Sequence, residues 1–455
     1  MTPGARVSAA IEILDLIAAE AAPADVVAGA YFRSRRYIGA KDRPAIAGLV
    51  YAVLRQRAQL DWWLARAREG AGRGLFAPDA RQRVLAWLAI GEGWEAERIA
   101  AAFDGGKFRP PALIARETAL VGALAGRTLD HPEQPDWVRF NLPQWLAVKL
   151  QQRFGGDFKR EAAALAQAAP LDLRINPLKT DRDAMLRRLA ADGLRVAPTR
   201  LSPLGIRVEG RPTLGNLGAF QDGLIEVQDE GSQIAAILVE AKPGMRVCDF
   251  CAGAGGKTLA LAAVMANKGH IVACDVSQRR LEGATRRLRR AGAFNVERRN
   301  LSGERDPWVK RHAATFDRVL IDAPCTGAGT WRRNPDAKWT MTPADLDELV
   351  DLQRRILASA ARLVKPGGRL VYVTCSLLPE ENERQAEWFL AQMPDFAPMP
   401  VGEAWTHAID APCPTAERYL HLTPARHGTD GFFIAIFERR TTARQTMPGE
   451  MGANS

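Results

Sequence analysis

The sequence predicts a multidomain chain in which an all-α N-terminal domain and a small α/β intermediate region precede a larger, doubly wound α/β domain. Three observations lead there. From Pro243 onward, strand-like and helix-like segments alternate strictly, as they do when a parallel sheet is covered by helices on both faces. The first ~130 residues instead space apolar side chains three and four apart, the period of a helix. Between the two, "RTLDHPEQPDWVRFNLPQW" is rich in Pro and polar residues and marks a boundary near Pro132 to Pro143. A chain of 455 residues is long enough for two or three cores.

In chain order, "RVSAAIEILDLIAAEAAPADVVAGAYF" and "DRPAIAGLVYAVLRQRAQLDWWLARA" carry the helical period and place domain one at 1–132. Its Arg33, Arg35, Arg36, Arg55 and Arg57 are candidate phosphate contacts or an ordinary solvated face. Over 133–235, "LDLRINPLKTDRDAMLRRLAADGLRVAPT" reads strand, turn, helix, strand, and "GLIEVQDEGSQIAAILV" reads strand then helix. The α/β domain, 236–440, contains strands "MRVCDF", "HIVACDV", "NVERRN", "FDRVLIDAP" and "GRLVYVTCSL". Helices "GKTLALAAVMANKG", "SQRRLEGATRRLRRAG" and "PADLDELVDLQRRILASAARLV" connect them. "GTDGFFIAIFERR" is expected as an added antiparallel strand, and 441–455 as a polar tail.

The 62 Lys+Arg outnumber the 52 Asp+Glu, for a formal charge of +10. The sequence pI is about 9.5. That balance suits a polyanionic partner, nucleic acid first, although a solvated Arg-rich surface gives the same number. The six cysteines are too sparse for a disulfide scaffold and fit a reducing compartment. The N-terminal apolar stretch carries acids and lacks a signal-peptide core, and no run approaches a membrane span, so the expectation is a cytoplasmic monomer.

The loop "VCDFCAGAGGKTLALA" follows the first strand of the α/β domain, where ligands bind in such folds. A dinucleotide fingerprint needs a third glycine where Thr258 stands. A phosphate-binding P-loop keeps Gly256-Lys257-Thr258 but needs glycine in place of Cys251, and Asp249 would face phosphates. An acid ending the first strand, glycines at 253 and 255, and Asp275 ending the next strand suit a cationic nucleoside better. The glycines admit the backbone to the ligand, Asp275 accepts ribose hydroxyls, and Asp249 favours the positive end. S-adenosylmethionine fits that description; a plain strand-to-helix turn is the bland alternative.

Two further strand ends carry thiols. "LIDAPCTGAGTWRRNPDAKW" sets Asp322 at a strand end and Cys325 three residues on, and "LVYVTCSLLPEENE" ends a strand at Cys375. A lone cysteine there is usually a small buried hydrophobe, but two at one edge argue for chemistry. "CDFC", Cys248 to Cys251, has no second pair and supplies too few ligands for a metal.

With "CAGAGGK", "DAPCTGAGTWRRNPDAKW" and "TCS", the chain resembles the Sun-type family of RNA cytosine-C5 methyltransferases, most of all those acting on bacterial small-subunit ribosomal RNA. The resemblance implies a NusB-like helical domain, an intermediate α/β region and a Rossmann-like methyltransferase domain. It implies that Cys375 is the nucleophile, that Cys325 assists release, and that Asp322 lies between methyl donor and base. It also places Lys257 near the reacting centre and gives the cofactor contacts as Cys251, Ala252, Gly253, Ala254, Gly255, Gly256, Lys257, Asp275, Asn300 and Asp322. Where the family loop commonly reads Cys-Ala-Ala-Pro-Gly-Gly-Lys, this chain has Gly253 and Ala254, and Asn300 replaces a frequent acid. Arg332, Arg333 and Lys338 would lie over the active site and meet RNA phosphates. Transfer RNA as substrate, or a catalytically idle RNA-binding assembly factor, are the alternatives.

Overall fold

A computed structural model describes residues 1–20, 22–68, 78–210 and 212–441. The polar tail expected at 441–455 therefore lies outside the described residues, apart from Thr441. The chain divides into two compact units, one of Met1–Ala168 with Gly327–Pro343, the other of Ala169–Thr326 with the chain from Ala344. No helix among the described residues is long and apolar enough to cross a membrane.

In the first unit the described regular structure is helical, from Pro3–Ala19 through Gln144–Phe154 and Phe158–Ala166. Apolar residues at helical spacing close one core, with Ile13, Ile46, Val50, Leu60, Leu64, Val84, Leu85 and Leu88 buried together. Across the boundary expected near Pro132–Pro143 the packing is continuous, and the compact unit runs on to Ala168. Asn141 donates to Gln56 Oε1 at 2.7 Å and Gln59 Oε1 at 2.8 Å, and Gln59 Nε2 donates to Asp130 Oδ1 at 2.9 Å. Those bonds tie 130–141 to the helical core, and two more helices follow before the first strand. The Pro-rich stretch is largely irregular backbone that packs against the helices before it.

Gly327–Pro343, expected over the active site, groups with the helices. Asp336 Oδ2 accepts the Ala24 N–H at 2.9 Å, capping helix Ala24–Ser34, whose own preceding residue, Pro23, supplies no side-chain cap. Trp339 Nε1 donates to the Leu54 carbonyl at 3.0 Å.

The second unit holds two sheets. The smaller is antiparallel in the order β2-β3-β1-β4, from β1 (Leu171–Ile175), β2 (Val196–Pro198), β3 (Gly205–Val208) and β4 (Ile225–Val227). Helix Arg182–Ala191, capped by Asp181 on the Ala184 N–H, buries Met185 and Leu189 against Leu173, Ile206 and Ile225. The larger sheet comprises β5 (Arg246–Asp249), β6 (His270–Asp275), β7 (Val296–Asn300), β8 (Phe316–Asp322), β9 (Val364–Thr374), β10 (Phe396–Met399), β11 (Leu420–Leu422) and β12 (Phe432–Arg439). Its order is β10-β12-β9-β8-β5-β6-β7, with β11 pairing β12. From β9 to β7 the pairs are parallel, and β12 adds antiparallel to β9.

The strand sequences explain those positions. Leu370, Val371, Tyr372 and Val373 of β9 are all fully buried, the continuous apolar run of a strand covered on both faces. "VERRN" of β7 suits the sheet edge, where charges oppose further pairing. The crossing order turns at β5 and β8, so ligands are expected beyond their carboxyl ends.

Candidate active site

A cavity of about 560 Å³ opens at those strand ends. The loop after β5 makes its floor. Gly253 (φ 55°) and Gly255 (φ 79°) hold left-handed conformations, and a Cβ on Gly255 would stand 3.0 Å from the Ala284 methyl. The turn thus brings backbone against the cavity and starts helix Gly256–Val264. From the smaller sheet, buried Arg174 reaches under this loop and donates to the Gly256 carbonyl at 2.9 Å, while burial pulls its pKa down to about 10.

Asp275, ending β6, fits a ribose. Its Oδ2 accepts the Gly253 N–H at 2.8 Å and its Oδ1 the Ser277 N–H at 2.7 Å, which fixes the carboxylate and leaves acceptor sites facing the cavity. Phe250, Val276, Leu301, Leu352 and Ile356 supply apolar walls for a flat ring. Cys251, Ala252, Gly253, Ala254, Gly256, Lys257 and Asp322 also line it; Gly255 shapes the turn from behind. The lining carries Asp275, Glu304 and Asp322 beside Lys257, Arg280 and Arg287, a mixed-charge wall in which the acids can meet a cationic nucleoside.

Two expected ligand contacts differ. Asp249 is fully buried beneath the loop and is not a wall of the cavity. Its Oδ2 accepts the Thr258 hydroxyl at 2.6 Å, and burial raises its pKa to about 7, with the Asp322 charge also raising it. It therefore braces the turn. Asn300 stands outside the cavity lining as well, donating from Nδ2 to the Asp275 carbonyl at 3.0 Å, so it holds the backbone of Asp275.

Lys257 and Asp322 form the charged end. Lys257 Nζ lies 2.6 Å from Asp322 Oδ2 and 5.4 Å from the Phe432 ring centroid, and the lysine is 7% exposed. Asp322 ends β8 opposite Val373 of β9, and the Ala323 N–H continues the pairing to the Val373 carbonyl at 2.9 Å. That register delivers Cys325 and Cys375 to one place: their sulfurs are 3.5 Å apart and both residues are partly exposed. Burial instead pushes the Cys248 and Cys251 thiols well up, which leaves them protonated and poor nucleophiles.

The basic loop is corrected. Arg332 and Lys338 are 5% and 3% exposed. Burial, assisted by the Arg55 charge, pulls Lys338 down to about 7. Neither offers a charged surface to a phosphate, and of the three only Arg333 is half-buried. Sequence reasoning passed over Arg174, Gln353, Glu381 and Asn382, which brace the loops; Glu381 marks itself only through contacts with Thr326 and Gln353 far along the chain, and Asn382 through hydrogen bonds to Thr374 and Ser376 within its own motif.

Residues 236–438 match the family model described as 16S rRNA methyltransferase RsmB/F, and 142–213 match the RsmF/B-like ferredoxin-like domain. A Salmonella paratyphi B protein named ribosomal RNA small subunit methyltransferase B is 30% identical over 412 residues, 87% of this chain and 90% of that one. A Synechocystis protein named as a probable enzyme of the same kind is 36% identical over 304 residues, 66% of this chain and 67% of that one. The crystal structure titled PH0851 superposes with a TM-score of 0.77 at 27% identity, covering 96% of this chain and 99% of that one.

Proposed function

The chain belongs to the RsmB/F family of 16S rRNA methyltransferases, which use S-adenosylmethionine, and we propose that it methylates carbon 5 of a cytosine in small-subunit ribosomal RNA through a covalent cysteine adduct. The observation that carries the proposal is the 3.5 Å approach of the Cys325 and Cys375 sulfurs, with Cys325 directly following the cavity-wall residue Pro324.

Two thiols answer a specific difficulty. Carbon 5 of cytosine is a weak nucleophile, and a thiolate adding to carbon 6 makes it enamine-like. The family pattern gives this addition to Cys375. When bound, S-adenosylmethionine supplies an electrophilic methyl on a positive sulfonium. Asp322, held by Lys257, hydrogen-bonds the cytosine edge and keeps carbon 5 in line. Once carbon 5 carries both methyl and proton, Cys325 helps take the proton; the C–H electrons restore the 5,6 double bond and expel the Cys375 thiolate. A base within a duplex must first be turned out of the stack or presented by a loop.

The donor site is tested by calorimetry on the purified protein. S-adenosylmethionine is expected to bind, and tight magnesium-ATP binding is not, because Cys251 stands where a phosphate-binding loop needs glycine and Asp275 and Asp322 share the cavity wall. Tight ATP binding with no response to the methyl donor would restore the P-loop reading.

A further inference from the structure

Six and seven residues past Cys375 stand Glu381 and Asn382, 0% and 1% exposed. Each grips the loop of a different thiol. Glu381 Oε1 accepts the Thr326 N–H at 2.8 Å and Gln353 Nε2 at 3.0 Å, and its Oε2 accepts the Thr326 hydroxyl at 2.5 Å. Gln353 Nε2 also donates to the Pro324 carbonyl at 2.9 Å, so Cys325 is held on both flanks. Asn382 brackets Cys375: Oδ1 accepts the Thr374 hydroxyl at 2.5 Å, and Nδ2 donates to the Ser376 carbonyl at 3.0 Å. The Thr326 and Ser376 hydroxyls join the two brackets at 3.3 Å, and Tyr372 anchors the dipeptide by donating to the Glu381 carbonyl at 2.8 Å.

We propose that the Glu381–Asn382 dipeptide is a two-sided positioning device that sets the separation and aim of Cys325 and Cys375, and thereby the rate of both thiol-dependent steps. The proposal rests on the two-thiol reading above. A carboxylate is an expensive way merely to tie loops together, since burial disfavours its charge and an apolar pair of equal volume often holds a fold as well. Burial does push the Glu381 pKa up, against hydrogen bonds from Ser376, Thr326 and Gln353 that lower it. What the carboxylate adds is direction. Its two acceptors fix both the backbone and the hydroxyl of the residue after Cys325, while the adjacent amide does the same around Cys375.

Thiol geometry is measurable without methyl transfer. Diamide takes two thiols to a disulfide and is itself reduced to the hydrazine, so the rate of Cys325–Cys375 closure, followed by peptide mapping, reports how the sulfurs meet. In Glu381→Ala and Asn382→Ala, closure is expected to slow by about tenfold or more, and kcat to fall by about 100-fold with KM for RNA and donor little changed, the size of a misplacement of about 1 Å. Glu381→Gln should rescue both readouts. Its carbonyl keeps the Thr326 N–H and Gln353, and its amide donates to the Thr326 hydroxyl, which turns to Ser376. Wild-type closure in both alanine variants, whatever their turnover, overturns the proposal. If Glu381→Ala fails to fold, Thr326→Val removes only the hydroxyl arm; it should slow closure and turnover together, and no change in closure overturns the proposal equally. Closure is read independently of catalysis, so failure here differs from failure of the thiol mechanism, in which Cys375→Ala keeps its turnover.

Discussion

Cys375→Ala is expected to yield neither methylated RNA nor a protein–RNA adduct, while Cys325→Ala accumulates an adduct that survives denaturing electrophoresis. Without the Cys375 thiolate no bond forms to carbon 6, carbon 5 stays unreactive, and turnover falls on the order of 10⁴-fold or more, as it does when a covalent nucleophile is removed. Without Cys325, addition and methyl transfer proceed and elimination slows, so the enzyme stops with its substrate attached. The two phenotypes are expected to differ although the sulfurs are 3.5 Å apart, because the proposed mechanism gives each a different step. Roles reversed between the two variants would make Cys325 the nucleophile. Full turnover in both would exclude thiol catalysis.

The next largest loss is expected from breaking the Lys257–Asp322 pair. Lys257→Met leaves Asp322 without the cation 2.6 Å away, and Asp322→Asn releases the lysine and removes the carboxylate proposed to meet the base. Each should lower single-turnover methyl transfer by about 10²- to 10³-fold at saturating donor and RNA, the usual size for one preorganised polar group at a reacting centre. The double variant should be little worse than the worse single one, since the two side chains act as a unit. Losses that multiply in the double variant would show that lysine and aspartate act separately.

Much of the catalytic unit was legible in the sequence because parallel strands advertise themselves. The apolar runs of β8 and β9 and the acids ending β6 and β8 placed Asp275, Asp322, Cys325 and Cys375 at one edge. That the two cysteines touch depends on β8 and β9 being neighbours, which only the sheet order supplies. Asp249 was misplaced by the same logic: a strand-end acid can point to the ligand or beneath the loop, and the Thr258 hydroxyl below the turn settles it. Arg332 and Lys338 read as an exposed basic loop because nothing local distinguishes a solvated cation from one packed into a helical core. The residue that Asp336 caps lies 312 positions away. Glu381 and Asn382 were invisible as a pair for a related reason: an acid followed by an amide reads as solvent-facing polarity, and its partner Thr326 lies 55 positions back.

The proposed reaction is methyl transfer to carbon 5 of a cytosine in small-subunit ribosomal RNA. Bisulfite sequencing of that RNA tests it most directly, comparing a strain lacking this chain with the same strain carrying the wild-type or the Cys375→Ala protein. A cytosine protected from conversion in the wild type should convert in the deletion strain, regain protection with the wild-type chain, and stay unprotected with Cys375→Ala. Identical protection of every cytosine in all the strains would contradict the claim.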